Sequence, residues 1–253
     1  VSVEAAVNMT VTSVTTTSRS AYVKDNQEVE TLTRSLLPAD TFYRIEKVTR
    51  KTKNDGAWMN FPSVSLFSSV ANADLTAFFK TVGCEGSTNA YSITGSTPLI
   101  DSLFSVKYGL YSEAQEGSSN LILIRQEGGT YLYARRDTLP VGFMVPSDID
   151  YSWQRDLGNP VSVQNDLCGL IGVDRVLEQV DTARFTPETA GMYYVYIANR
   201  KVEQVDVSPT GESERSSKKF KNVKRGYLLE LGWCHAGEEL VLKGEDESQS
   251  LNA

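Results

Sequence analysis

The sequence predicts an α+β fold: a mixed β-sheet with several short helices, followed by a β-rich part of sandwich or jelly-roll character. Three observations predict it. Strand-like and helix-like patterns intermix up to about residue 175. Beyond that point "RVLEQVDTARFTP", "GMYYVYIANRKVEQVDV", "KKFKNVKRGYLLELGW" and "EELVLKG" are all strand-like, separated by turn or polar segments. The composition, 40% hydrophobic and 23% charged over 253 residues, is that of a folded chain able to bury a real core. The division that follows is 1–178 as a mixed α/β domain and 179–253 as the β-rich part, which the pattern leaves room to be incomplete.

Residues 1–24 are rich in Val, Thr and Ser, with high β propensity and no helical period. "DNQEVETLTRSLLP" then reads as a helix: Asp25 or Asn26 can cap it, Val29, Leu32 and Leu36 share a face, and Pro38 stops it. A strand follows at 41–50, and Asn54-Asp55-Gly56 reads as a sharp turn. "SSVANADLTAFFKTVG" is a second helix, with Asn72 as N-cap, Leu75, Phe78 and Phe79 as the buried stripe and Gly83 as the stop. "YSIT" is a short strand, "TPLIDSLF" a short helix opened by Pro98, and "VKYGLY" a strand. "NLILIRQEGGTYLYARR" is the clearest hairpin, turning at Gly128-Gly129. "NPVSVQNDLCGLIG" is a helix with Asn159 as N-cap and Pro160 at its first position. "SPTGESERSSKK" at 208–219 reads as a long hairpin loop rather than a domain linker.

Much chemistry is excluded by what is missing. His235 is the sole histidine, so no His-rich metal site and no two-histidine mechanism can be built. Glycine-rich phosphate loops and the nucleophile-elbow pattern are absent. A net charge of −7 disfavours nucleic acid as a partner, and the basic cluster Lys218-Lys219-Phe220-Lys221 with Lys224-Arg225 reads as a solvated loop or edge strand. Cys84, Cys168 and Cys234 are far apart and form no CxxC, which favours three free, buried thiols. The sequence therefore implies no cofactor, no metal and no catalytic residue. No apolar run approaches the roughly 18 residues that span a bilayer. The abrupt start at Val1 and the end in "EDESQSLNA" suggest an excised piece of a longer protein.

Carboxylates and aromatics remain. Glu46, Asp55 and Asp101 are the candidates for paired acid/base work of glycosidase type, each with a plainer role as ion-pair partner, turn residue or cap. The strand at 41–50 would put Phe42, Arg44, Glu46 and Val48 on one face, so Arg44 and Glu46 either pair or wall a binding site. Trp58, Phe61, Trp153 and the Tyr193-Tyr194-Tyr196 group offer flat faces for sugar rings. Tyr193 and Tyr194 must face opposite ways, so at least one belongs to the core.

"FYRIEKVTRKTKNDG", "FPSVSLFSS", "GSTPLIDSLFSVKYGL", "LPVGFMVPSDI" and "NPVSVQNDL" follow in this order at natural separations. Together they resemble the C-terminal extracytoplasmic region of the YfhO family of polytopic bacterial membrane proteins, over about residues 1–180. The resemblance implies a domain on the extracytoplasmic face of the cell membrane, anchored by transmembrane helices outside this chain. It also implies a lipid-linked glycosyltransferase-like parent that assists glycosylation of a cell-wall polymer such as lipoteichoic acid. The catalytic carboxylate of such enzymes is expected near the first membrane helices, so the piece alone should not turn over. The implied partners are the protein's own membrane-embedded region and a glycopolymer or lipid-linked sugar. The implied contact residues are Tyr43, Arg44, Glu46, Asn54, Asp55, Ser68, Ser69, Lys107, Tyr108, Gln164 and Asn165, whose amides, hydroxyls and charges suit sugar hydroxyls or a polyol-phosphate; Trp58 joins them from the aromatic reading. The alternative is a non-catalytic carbohydrate-binding or surface-interaction module; a free-standing carboxylate glycosidase is the third reading.

Overall fold

The structure, a computed structural model, describes residues 18–37, 41–115, 118, 120–174, 177, 183–210, 216–245 and 251. The strand reading of 1–24 therefore lies mostly outside the described residues. Where it overlaps them it is corrected: Arg19–Val23 is a short helix, α1, because the Ser18 hydroxyl accepts the Ala21 N–H at 3.2 Å and caps it. Helix α2, Asn26–Arg34, forms as its apolar period requires, with Val29 and Leu32 fully buried. Asp25 precedes it without capping it. Its carboxylate is drawn to Lys47 at 2.8 Å and to Lys51 instead.

The central sheet has four strands: β1 (Arg44–Lys47), β5 (Val106–Tyr111), β6 (Leu121–Glu127) and β7 (Thr130–Arg135), in the order β1-β5-β7-β6. β1 runs parallel to β5, which a long crossover makes possible, and the other pairs are antiparallel. The β6–β7 hairpin turns at Gly128, whose φ of +53° suits glycine. One face of this sheet buries Ile45, Leu110 and Leu132 against Val29 and Leu32 of α2, with Tyr43, Met59 and Phe61 completing the core. Alternation along β7 sends Tyr131, Tyr133 and Arg135 to the opposite face.

The crossover holds α3 (Asp55–Trp58), β2 (Leu66–Phe67), α4 (Ala73–Thr81), β3 (Glu85–Ser87), β4 (Ala90–Ser92) and α5 (Pro98–Leu103). The three short strands make a small sheet, order β2-β4-β3. Asn72 caps α4 by accepting the Leu75 N–H at 3.0 Å. The expected stripe on α4 is rotated: Thr76 and Phe79 point inward and Leu75 is 43% exposed. Phe79 stacks between Tyr91 and Phe104, at 4.7 and 4.9 Å between ring centres, and that slot fixes the helix's rotation. After a short α6 (Ile149–Ser152), α7 (Pro160–Leu170) starts from Asn159, which accepts the Ser162 N–H at 2.9 Å. Its Val163 joins Phe79, Val82, Cys84, Tyr91 and Ile100 in a second core.

The β-rich part contains β8 (Arg184–Phe185), β9 (Gly191–Val195), β10 (Gln204–Pro209), β11 (Lys218–Lys221), a 3₁₀ turn (Val223–Arg225), β12 (Leu229–Cys234) and β13 (Leu240–Gly244). A four-stranded sheet, β11-β10-β13-β8, and the β12-β9 pair share one core that includes Val205, Val207, Leu229, Leu231, Leu240 and Leu242. This is the sandwich-like half of an α+β fold. β10 and β11 pair antiparallel, as the 208–219 hairpin requires, and the basic cluster on β11 is an exposed edge strand. Cys84, Cys168 and Cys234 are buried and form no disulfide.

The two halves meet tightly at Leu228, whose N–H donates to the Gly83 carbonyl at 2.8 Å. Gly95, at φ +84°, lies so close that a Cβ there would sit 2.5 Å from the Gly83 oxygen and 2.7 Å from the Leu228 oxygen. Only glycine satisfies both demands.

Candidate functional site

Arg44 and Glu46 do not pair with one another. The Arg44 guanidinium donates to the Phe104 carbonyl at 2.5 Å and lies 4.9 Å from the centre of the Phe42 ring. Glu46, 3% exposed, turns the other way and accepts from the Ser63 hydroxyl at 2.8 Å and from the Ser65 N–H and hydroxyl, both at 2.9 Å. The Val64 N–H also donates to it. Burial pushes the Glu46 carboxyl above its ordinary value, and these donors only partly oppose that. The common face drawn for Phe42, Arg44, Glu46 and Val48 dissolves because β1 is only four residues long and its register shifts between Arg44 and Ile45. Phe42 and Val48, beyond its ends, are exposed.

The Asn54-Asp55-Gly56 turn is instead the start of α3. Asp55 is buried and accepts the Lys51 and Thr52 N–H groups at 2.7 and 2.8 Å and the Thr52 hydroxyl at 2.9 Å. Asn54 uses both ends of its amide on Phe67, donating to the carbonyl at 2.9 Å and accepting the N–H at 2.8 Å. It acts as one more rung of the small sheet. Glu46 and Asp55 do share a narrow crevice, without room for a water molecule, lined also by Lys47, Arg50, Thr52, Lys53, Gly56, Phe61, Ser63 and Ser65. Asn54 and Lys107 lie outside that lining.

The cations of the crevice are partnered from behind. Lys47 meets Asp25, while Arg50 and Lys53 meet Glu85 at 2.5 and 2.7 Å. Arg225 of the 3₁₀ turn adds a third cation to Glu85 at 3.4 Å, tying the β-rich half to it. Burial alone would raise the Glu85 carboxyl, but Lys53 and Arg50, with the Ser92 hydroxyl, outweigh it and hold it below its ordinary value. Charge is thus balanced inside the wall.

The remaining candidates are distributed. Tyr43 and Tyr108 pack edge to face at 5.0 Å beside the central core. Lys107, half-buried, lies 5.5 Å from the Tyr108 ring centre. Trp58 is 53% exposed and rests edge-on against Tyr22 at 5.2 Å. Gln164 has no exposed surface; it accepts from the Thr97 hydroxyl at 2.6 Å and donates to the Val82 carbonyl at 2.7 Å. Asn165 clasps the Leu177 backbone in both directions, at 2.6 and 3.2 Å. Ser68 caps a local turn at Val70, and Ser69 is exposed. Trp153 donates to the Val163 carbonyl at 2.9 Å and packs on Phe78.

Asp101, a candidate carboxylate of the sequence, takes a partner that the sequence reading missed, Arg135. Asp101 on α5 accepts from the Ser96 hydroxyl at 2.6 Å and from Arg135 Nε on β7 at 2.8 Å, with only 9 and 10% of the two paired side chains exposed. Burial works against the Arg135 charge, but Asp101, with Tyr111 of β5, Glu230 of β12 and Tyr194 of β9, outweighs it and holds the guanidinium above its ordinary value. Glu230 and Tyr194 are opposite one another in the β12–β9 pair and so share a face. Tyr193, pointing the other way, packs on Phe185 at 5.0 Å against the core. Burial pushes the Tyr111 hydroxyl up to about 12, raises Tyr194, and raises the Glu230 carboxyl, where Lys218 opposes it and Asp101 reinforces it. β7 alternation signals that Arg135 leaves the core face; nothing local says that Asp101 of α5 comes to meet it. Among the described residues, no group of three or more His, Cys, Asp or Glu could hold a metal ion.

Residues 1–179 match the family described as "Bacterial membrane protein YfhO". The chain belongs to the YfhO family. No curated protein and no solved structure matches it. Within the described residues of this YfhO-family domain, no helix is long and apolar enough to cross a membrane. The matched span contains the Glu46–Asp55 crevice, Asp101 and Arg135, whereas Tyr194 and Glu230 come from the β-rich part beyond it.

Proposed function

We propose that this chain is an extracytoplasmic domain of a membrane-embedded, glycosyltransferase-like protein, and that it binds or positions a cell-wall glycopolymer such as lipoteichoic acid, or the lipid-linked sugar that modifies it. Membership of a membrane-protein family over residues 1–179 is the observation that carries the reading. The absence of a membrane-crossing helix among the described residues accords with a domain that works beside the bilayer. Its partners on this reading are the protein's own membrane-embedded region and the glycopolymer, and 1–178 and 179–253 act as one platform. Contact falls to those candidate residues that keep surface: Trp58, and Lys107 with Tyr108. Gln164 and Asn165 support the fold around them.

The surface-interaction reading is favoured by one further feature. Val141, Met144 and Tyr151 are 65, 98 and 91% exposed, an unusual amount of apolar surface within eleven positions.

Two measurements test the proposal. In the full-length protein, Met144→Cys should react with a membrane-impermeant maleimide in intact cells beyond the labelling of the unsubstituted protein, because Met144 is exposed and the three thiols of this chain are buried. Labelling only after permeabilisation would place the domain on the wrong side. The chain itself should bind lipoteichoic acid in preference to neutral glycans, and loss of binding on Trp58→Ala would locate the contact.

A further inference from the structure

Trp58 is an exposed ring on a fixed base. It closes α3, whose start is pinned by the buried Asp55, and its own N–H donates to the Asn54 carbonyl at 2.9 Å. Tyr22 of α1 meets the indole at 63°, with 5.2 Å between ring centres. Tyr22 thus walls one side of the indole and leaves the rest open, with 53% of Trp58 exposed. Tyr22 is fixed in turn by Lys51, whose Nζ lies 5.8 Å from its ring centre and donates to its backbone carbonyl. The same ammonium meets the Asp25 carboxylate, and Asn26 Oδ1 at 3.4 Å, which spends its three protons inside the protein. Among the described residues, neither the indole Nε1–H nor the Tyr22 hydroxyl has a hydrogen-bond partner.

We propose that the Trp58–Tyr22 corner is a stacking platform for the ring of a neutral pyranose, with the indole Nε1–H and the Tyr22 hydroxyl bonding hydroxyls at the ring's rim. The inference rests on the carbohydrate-facing reading above; it names the part of a glycopolymer that the domain takes and adds Tyr22 to the contact. A pyranose presents a face of C–H groups and a rim of hydroxyls, so it suits an aromatic plane edged by a single donor and a hydroxyl. An acyclic polyol has the hydroxyls without the face. A phosphate asks for a cation with protons to give, and those of Lys51 are already committed. A wholly apolar partner would strip water from both polar groups and leave them unpaired.

The test is NMR titration of the chain with methyl glucoside, methyl galactoside, glycerol and glycerol 3-phosphate, following the indole Nε1–H and tyrosine ring signals. The Trp153 Nε1–H, held by the Val163 carbonyl, is the internal control. At least one pyranoside should shift Trp58 and Tyr22 together and leave Trp153 unmoved. Glycerol and glycerol 3-phosphate should bind about tenfold more weakly, having no face to stack. Trp58→Ala should abolish the Tyr22 response. Tyr22→Phe, which keeps the ring contact and removes one hydroxyl, should weaken pyranoside binding about threefold to tenfold; an unchanged Trp153 signal shows that each variant is folded. No Trp58 shift with either pyranoside, an equal response to glycerol 3-phosphate, or wild-type binding by both variants would overturn the platform. A Trp58 shift produced by sugar-free phosphatidylglycerol vesicles and by neither pyranoside would overturn it in favour of a bilayer contact. Lipoteichoic acid binding that survives Trp58→Ala would overturn this site while leaving the domain's proposed role standing; absence of binding by both pyranosides and by the polymer would overturn both.

Discussion

Replacing Glu46 with alanine would leave the 63–65 segment without its acceptor. The Val64 N–H would lose its partner, the Ser65 N–H would keep only the Ser63 hydroxyl at 3.2 Å, and both serine hydroxyls would have to turn elsewhere. An orphaned buried N–H costs about 1–3 kcal/mol and each further lost bond about 1 kcal/mol, offset in part by release of a carboxyl that burial disfavours, so Glu46→Ala should cost about 2–4 kcal/mol. Glu46→Gln keeps one acceptor oxygen in place and should cost about 1 kcal/mol. The pair also reads the charge. The folded carboxyl titrates above its ordinary value of 4.5, so between 4.5 and the folded value the native state binds more protons than the unfolded state. Wild-type stability therefore falls as pH rises through that window and levels off above it. Glutamine mimics the neutral acid and lacks this slope. Urea titrations of wild type, Glu46→Gln and Glu46→Ala from pH 4 to 8 measure both effects. A loss below about 0.5 kcal/mol for alanine, or the same pH slope in wild type and the glutamine variant, would refute the reasoning.

Gln164→Leu should lower stability by about 2–4 kcal/mol in urea, since it strands the Thr97 hydroxyl and the Val82 carbonyl inside the protein. Gly95→Ala should cost about 2–4 kcal/mol through backbone strain and collision with the Gly83 and Leu228 oxygens; an unchanged urea midpoint would mean the two halves do not press together there. Asp25→Asn should cost about 1–2 kcal/mol at neutral pH by leaving the buried Lys47 without a counter-charge, held by the Thr49 carbonyl alone. Burial works against the Asp25 carboxyl, but Lys47 and Lys51 overcome it and hold it below its ordinary value of 3.8. That contribution is present above 3.8 and disappears as pH falls through the folded value, so the asparagine variant should show a shallower acid limb in circular dichroism.

The candidate sites show where local reading stops. Asn72, Asn159, Pro98 and Pro160 act within one helical turn of themselves, and the structure finds each at the helix start its chemistry implies. Asp25 looked like a cap by the same logic, yet two lysines from β1 and the following loop bind its carboxylate more strongly than an N–H would. Arg44 and Glu46 looked like a pair because they are two apart on a strand. Their actual partners, Phe104 and Ser63–Ser65, are up to sixty residues away. Leu75 fits a helical stripe, but the stacked slot between Tyr91 and Phe104 chooses Phe79 and rotates the helix.

By itself the sequence determined the α+β class, the β6–β7 hairpin at Gly128, the start of most helices, the buried state of the three cysteines and the family. Each depends on periodicity, on residue chemistry acting within a few positions, or on ordered motifs, all of which are linear information. Tertiary structure alone decided where charge goes. It placed Glu46 under the 63–65 backbone, gathered three cations on Glu85, one of them from the β-rich half, and brought Asp101 to Arg135. The physical reason is that a buried charge must find whatever partner the packing brings near, and packing is set by cores distant in sequence.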